Sequence, residues 1–273
     1  MTLPIDTILL RHGESYGNVA KRRSEDGDHE AIRNLFHDQH TRSFRLTKKG
    51  REQAEAIGEW LRKEFCTKAP GFDRYYTSDY ARAMETAVLI DLPGASWYRS
   101  TNLTERDWGN LDTMDEAERT EKLGEVMRMR DIEPFFWRPG TGESFNDLCL
   151  RLRSVLDTLH RECSDKRVII VCHGEVMWAF RVLLERMSQE RFKELHLSKR
   201  PEDRIYNCQV LHYTRRDPET GALDDKHANW MRAVRAGTPD IWTTGWQKID
   251  RKRYSNAELA DIVRQYPTIK ELE

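Results

Sequence analysis

Two short apolar runs, far apart in the chain, narrow what this protein can fold into. Ile8-Leu9-Leu10 stops at Arg11-His12-Gly13, and Val168-Ile169-Ile170-Val171-Cys172 stops at His173-Gly174. A run that is apolar at consecutive positions reads as a strand buried on both faces, and such strands belong to parallel sheets covered by helices. Ligands of these sheets sit beyond the carboxyl ends of the strands, where each run delivers a histidine and a glycine. Two separate strands can therefore bring His12 and His173 together.

The intervening segments alternate as such a sheet requires. Thr47 is placed to cap a helix whose Ala54, Ile57, Leu61 and Phe65 share one face. Phe72 to Thr77 reads as the second strand, Ser78 opens a helix with Ala83, Met84, Ala87 and Val88 inside, and Trp97-Tyr98 marks a third strand. A charged helix is expected from Met114 to Arg130. A stronger one starts at Glu143-Ser144, with Phe145, Leu148, Leu152, Val155, Leu156 and Leu159 on its apolar side. Val176 to Met187 is helical, and Ile205 to Tyr213 alternates as a final strand. Short connections between these pieces predict an α/β fold, a three-layer α/β/α sandwich with a mostly parallel central sheet.

The domain is expected to span 1–215. A polar insertion at 19–45 interrupts it, with a short helix around Glu30 to Phe36, and forms a candidate lid. Residues 216–273 make a Trp-rich tail that either packs on the domain or lies in a homodimer interface, wrapping being the simpler choice. Ser255 and Glu258 in this tail have capping-box spacing.

Net charge is −1 over 273 residues, so no global field draws in nucleic acid or an anionic membrane. No apolar run approaches the roughly 20 residues of a membrane span, and the first residues lack a secretory signal pattern. The five cysteines are scattered, without a C-x-x-C pair, which reads as reduced thiols in a cytoplasmic protein. His29, His37 and His40 do not have the spacing of a ligand set, so neither a metal nor a cofactor is expected.

Around the first histidine, Arg11-His12-Gly13-Glu14-Ser15 with Asn18 close behind resembles the nucleophile motif of the histidine phosphatase superfamily (phosphoglycerate mutase-like, branch 1). Four further pieces follow in that family's order. They are Ser78-Asp79-Tyr80-Ala81-Arg82, then Leu103-Thr104-Glu105-Arg106, then Gly142-Glu143-Ser144, and finally Cys172-His173-Gly174. The resemblance implies the phosphoglycerate mutase-like fold. It also implies a phosphate site of Arg11, Asn18, Arg82, His173 and Gly174, with His12 as nucleophile and Glu105 as proton donor.

The chemistry can be stated from the residues themselves. A phosphomonoester carries close to two negative charges, which Arg11, Arg82 and a protonated His173 would neutralise, with the Asn18 amide as a neutral donor. The attacking nitrogen of His12 must be bare, so its other nitrogen should donate to a fixed acceptor. Glu105 must start protonated to serve a leaving alkoxide. If the insertion is a lid, Arg42 or Arg45 would reach a second anionic group on the substrate; otherwise it is an ordinary solvated loop.

Members of the family that exchange phosphoryl groups carry a Tyr-Gly-Gly-like turn and a Lys-bearing helix after the Glu motif. Trp108-Gly109-Asn110-Leu111-Asp112-Thr113-Met114 has neither. The expected reaction is therefore hydrolysis of a small phosphorylated metabolite through a phosphohistidine. The alternatives are a cofactor-dependent phosphoglycerate mutase-type phosphotransferase and, further off, an inactive phosphate-binding module.

Overall fold

In the computed structural model, which describes residues 2–36, 39–67, 71–236 and 241–268, both apolar runs are central strands. The strands are β1 (Asp6–Arg11), β2 (Arg74–Ser78), β3 (Trp97–Ser100), β4 (Arg167–Cys172), β5 (Gln209–Thr214), β6 (Trp230–Arg235), β7 (Trp242–Thr243) and β8 (Gln247–Lys248). They form one sheet in the order β3-β2-β4-β1-β5-β6-β7, with β8 also on β6. The four strands from β3 to β1 are parallel; β5 is antiparallel to β1, and β6 to β5. Because β1 and β4 are direct neighbours, with Arg11 opposite Cys172, His12 and His173 leave the sheet side by side.

The helices are α1 (Tyr16–Glu25), α2 (Glu30–Phe36), α3 (Lys48–Phe65), α4 (Ala81–Leu89), α5 (Glu116–Ile132), α6 (Phe145–Glu162), α7 (Gly174–Glu185), α8 (Gln189–His196) and α9 (Asn256–Val263). The period-two alternation of the strands sorts their side chains between two cores. Ile8, Leu10, Ile169 and Val171 pack against Ala54, Ile57 and Leu61 of α3 and Ala83 and Ala87 of α4. Leu9, Val168 and Ile170 face Phe145, Leu148 and Leu152 of α6 and Val176 and Phe180 of α7. Each fully buried aliphatic side chain is worth roughly 1.5–3 kcal/mol, so the two layers clamp the sheet from both sides. No helix among the described residues is long and apolar enough to cross a membrane.

Local chemistry sets the helix starts. Thr47 accepts the Gly50 amide at the head of α3, and Ser144 with Asp147 forms a capping box for α6. The insertion holds α1 and α2, and it is tied to α5 through Asp115. That carboxylate caps α5 and accepts from Arg33 Nε at 2.7 Å, while Ser24 Oγ accepts the Glu116 amide at 3.0 Å. His37 of the insertion lies outside the described residues.

Two segments differ from the sequence expectation. The strand expected from Ile205 is β5 and starts at Gln209, because residues 205–208 form a turn, and it is not the final strand. There the Ile205 carbonyl accepts from Arg11, and Cys208 sits at φ 52° with its amide on the His12 carbonyl. Beyond residue 215 the tail continues the sheet as β6, β7 and β8. Arg251 fastens the following segment to the carbonyls of Leu184 and Ala228.

The loop after β1 also depends on one close approach. A Cβ at Gly13 would lie 2.3 Å from the Gly50 carbonyl oxygen, and one at Gly50 would lie 2.0 Å from that of Glu14. Neither contact can be relieved by moving a side chain, so both positions need glycine. Gly13→Ala should cost about 1–3 kcal/mol through overpacking, read as a lower denaturation midpoint in urea. An unchanged midpoint would show that the loop and α3 are not pressed together.

Candidate active site

His12 is held by two hydrogen bonds. His12 is buried at 2% exposure beyond the end of β1. Arg82, near the start of α4, places Nε 3.1 Å from His12 Nε2. A guanidinium can only donate, so Nε2 is the acceptor and the ring proton is on Nδ1. Nδ1 is 2.7 Å from the Gly13 carbonyl, which accepts that proton and fixes the tautomer. Burial pushes the His12 pKa well below its ordinary value, and Arg82 and Arg11 push the same way. His12 thus carries a bare Nε2 at neutral pH.

The second histidine stands against it. The His12 and His173 rings meet edge-on with centroids 5.1 Å apart. His173 Nε2 lies 2.8 Å from Ser78 Oγ at the end of β2, and its Nδ1 is buried without a partner. Burial, then Arg82 and His12, lower its pKa well below the usual value, so the ring is neutral until an anion supplies the opposing charge.

Cations complete the floor. Arg11 donates to the Ile205 carbonyl through Nη1 at 2.6 Å and keeps a buried Nε without a partner. Gly174 lies beside it, since a Cβ there would be 3.5 Å from Arg11 Nε. Arg82 Nη1 donates to the Thr41 carbonyl, and its guanidinium sits 4.8 Å from the Tyr80 ring centroid. Asn18 accepts through Oδ1 from Ser15 and Asn207, which leaves its amide nitrogen as the donor end.

A cavity of about 320 Å³ is lined by Arg11, His12, Asn18, Arg82, Glu105 and Gly174 among others, while His173 is fully buried and does not line it. The size suits a small metabolite. Glu105 accepts the Arg106 amide at 3.0 Å through Oε1. Burial raises its pKa, and the Glu175 carboxylate adds to the rise against the pull of Arg82. Among the described residues, no cluster of three or more His, Cys, Asp or Glu is placed to hold a metal ion.

The insertion does wall this cavity, but not with the arginines the sequence pointed to. Lys21, Ile32, Thr41 and Phe44 line it; Arg42 and Arg45 do not. Arg45 is held on the outer surface by Glu85, with Nη2 to Oε1 at 2.9 Å, and Arg42 is exposed on the turn after residue 40. Sequence reading also passed over Arg119 and Asp112 in the cavity wall, and over Glu175 in the first turn of α7. Glu175 had a signal, standing two positions after His173; Arg119 had none beyond its place on a charged helix.

Comparison with known proteins gives the same placement. Residues 7–217 match the family model of the histidine phosphatase superfamily (branch 1). The chain is 28% identical over 214 residues to a 6-phosphofructo-2-kinase/fructose-2,6-bisphosphatase of Gallus gallus, a match covering 76% of this chain and 39% of that relative's length. It is 28% identical over 202 residues to a 2,3-bisphosphoglycerate-dependent phosphoglycerate mutase of Methylorubrum populi, covering 70% of this chain and 84% of the other. Among solved structures, a mycobacterial glucosyl-3-phosphoglycerate phosphatase in complex with VO3 superposes with a TM-score of 0.58 at 22% identity, over 76% of this chain and 92% of that one. A protein described as a mycobacterial hydrolase gives a TM-score of 0.60 at 19% identity, over 97% of this chain and 99% of the other. At these identities the solved structures show the shared fold.

Proposed function

The chain belongs to the histidine phosphatase superfamily (branch 1), and from that premise we propose that it hydrolyses a small phosphomonoester bearing a second anionic group. The observation that carries the proposal is the locked tautomer of His12, with Nδ1–H on the Gly13 carbonyl and a bare Nε2 beside Arg82. When an ester enters, Arg82 transfers its donors to the phosphate oxygens and frees that lone pair. Nε2 then attacks phosphorus and the bond to the ester oxygen breaks. Glu105 gives its proton to the departing alkoxide. A water next attacks the phosphohistidine, returns a proton to Glu105, and the P–N bond breaks to regenerate His12. Arg11 Nε and His173 Nδ1, both buried and without partners, are the donors left for phosphate oxygens.

The second anionic group is inferred from the far wall. Lys21 of α1 and Arg119 and Arg130 of α5 line the same cavity. Arg119 is anchored by the Leu111 carbonyl at 2.6 Å and retains a buried Nε without a partner. A buried guanidinium nitrogen with no acceptor is costly unless an anion meets it. The named relatives include a bisphosphatase and a bisphosphoglycerate-dependent mutase, and we propose a ligand of that doubly charged kind here. These same cations also suit phosphoryl exchange within one substrate, which is the second reading.

Lys21→Ala with Arg119→Gln should raise the Michaelis constant for a doubly anionic ester roughly tenfold, the equivalent of about 1.4 kcal/mol of binding. Turnover of p-nitrophenyl phosphate should change little, because it offers a single anionic group. If neither substrate responds, the far wall is only a solvated surface. A 3-phosphoglycerate exchange assay on the wild-type protein separates the two reactions: isomerisation outpacing phosphate release would replace hydrolysis by exchange.

A further inference from the structure

We propose that Glu175 is a positioning residue whose carboxylate, fixed by Arg106 and His196, keeps neighbouring Glu105 in its acid form. The proposal rests on the reading of Glu105 as proton donor. Both carboxyls line one cavity, and Arg106 connects them. Its amide donates to Glu105 Oε1 at 3.0 Å, while its guanidinium Nη1 stands 3.7 Å from Glu175 Oε2.

Arg106 cannot swing toward Glu105. Its Nε donates to the Glu143 carbonyl, its Nη2 donates to the Trp137 carbonyl, and its guanidinium lies 4.4 Å from the Trp108 ring centroid. The guanidinium acts most strongly on Glu175 and more weakly on Glu105, whose hydrogen bond comes from the neutral Arg106 amide. Glu175 Oε1 also accepts from His196 Nε2 at 3.0 Å, and that ring is held among Phe192, Trp178 and Phe145. Glu175 Oε2 is buried and makes no hydrogen bond, and the Arg106 guanidinium is the cation beside it.

Two carboxyls in one enclosed site divide into an ionised and a protonated member, and the member with the cation keeps the charge. Burial opposes ionisation of Glu175, but His196 and Arg106 outweigh it and hold its pKa to about 2. The groups facing Glu105 are Arg11 from β1, the Cys172 thiol from β4, Tyr80 and Arg82 at the start of α4, the amide and guanidinium of Arg106 from its own loop, and Glu175 from α7. Lys21 from α1 and His196 from α8 face Glu175 as well. Only Glu175 pushes Glu105 toward its neutral form by charge; Arg11, Arg82 and the Arg106 guanidinium oppose it.

The sign of the effect follows. A proton donor works while protonated, so activity on an alkyl phosphate falls as pH rises through the Glu105 pKa. Glu175→Gln removes the repelling charge, lowers that pKa and moves the basic limb of kcat/KM down by about one pH unit. Glu175→Asp keeps the charge and should restore most of the limb. The limb for p-nitrophenyl phosphate should stay in place, since its leaving group needs no proton. A basic limb unmoved in a folded Glu175→Gln protein, or moved equally by Glu175→Asp, would overturn the proposal.

A second measurement needs no variant of Glu175 and no turnover. Carboxyl titration by carbon NMR of glutamate-labelled protein, with Glu105→Gln used only to assign its signal, should show Glu105 losing its proton well above Glu175. The reverse order would overturn the proposal. Absence of any wild-type hydrolysis with the titration order intact would instead remove the phosphatase reading and leave the pairing of carboxyls standing.

Discussion

His12→Ala should reduce phosphomonoester turnover on the order of 10⁴-fold while leaving the fold intact. The size follows from losing the atom that forms the covalent bond, since removal of a nucleophile disables the whole catalytic unit. The fold should survive because the ring lies at the sheet edge and its fixed partners are the Gly13 carbonyl and Arg82. Acid-labile, alkali-stable phosphate trapped on the wild-type protein during turnover should be absent from the variant. Near-normal hydrolysis by His12→Ala would end the covalent mechanism, whatever happened to binding.

Glu105→Gln should slow hydrolysis of a sugar phosphate by roughly 10²–10⁴-fold, the range of a general acid. The same change should cost far less on p-nitrophenyl phosphate, whose nitrophenolate departs without a proton. Gln keeps the shape of the side chain and can still accept the Arg106 amide, so a selective loss reports on the proton. Equal losses on both substrates would take Glu105 out of the acid role and turn attention to Asp112. That residue shares the cavity, with burial and then Asp107 raising its pKa to about 6.

The central strands were readable because burial on both faces leaves a plain apolar run, and a terminal histidine is conspicuous after it. His12, His173, Arg11, Arg82 and Glu105 were reachable as positions in an ordered set of motifs. The structure adds what no spacing encodes, such as which carbonyl holds the Nδ1 proton of His12. Arg45 shows the limit in the other direction. A sequence displays its charge, but not that Glu85, 40 positions away, occupies it.

β6 was unreadable for a related reason. Trp230-Met231-Arg232-Ala233-Val234-Arg235 looks like polar tail because of its two arginines. In the fold Arg232 lies on the Trp60 and Trp246 rings and reaches Glu64, and Arg235 lies on Tyr206 and Trp242. Aromatic faces let these cations line a strand without being lost to water.

Asp115 has a consequence for how the cavity gains and loses its walls. One carboxylate starts α5 and also takes the guanidinium of Arg33 from α2, and Ser24 accepts the next amide of α5, so the helix bearing Arg119 and the insertion bearing Lys21 are fastened at one place. Fraying of the first turn of α5 releases the insertion, and lifting of the insertion exposes that turn. Order on the two sides should therefore rise and fall together, which hydrogen exchange of the α1 and α5 amides would read. Arg82 Nη1 donates to the Thr41 carbonyl of the same insertion, so loosening of these walls also reaches the guanidinium that lies beside His12.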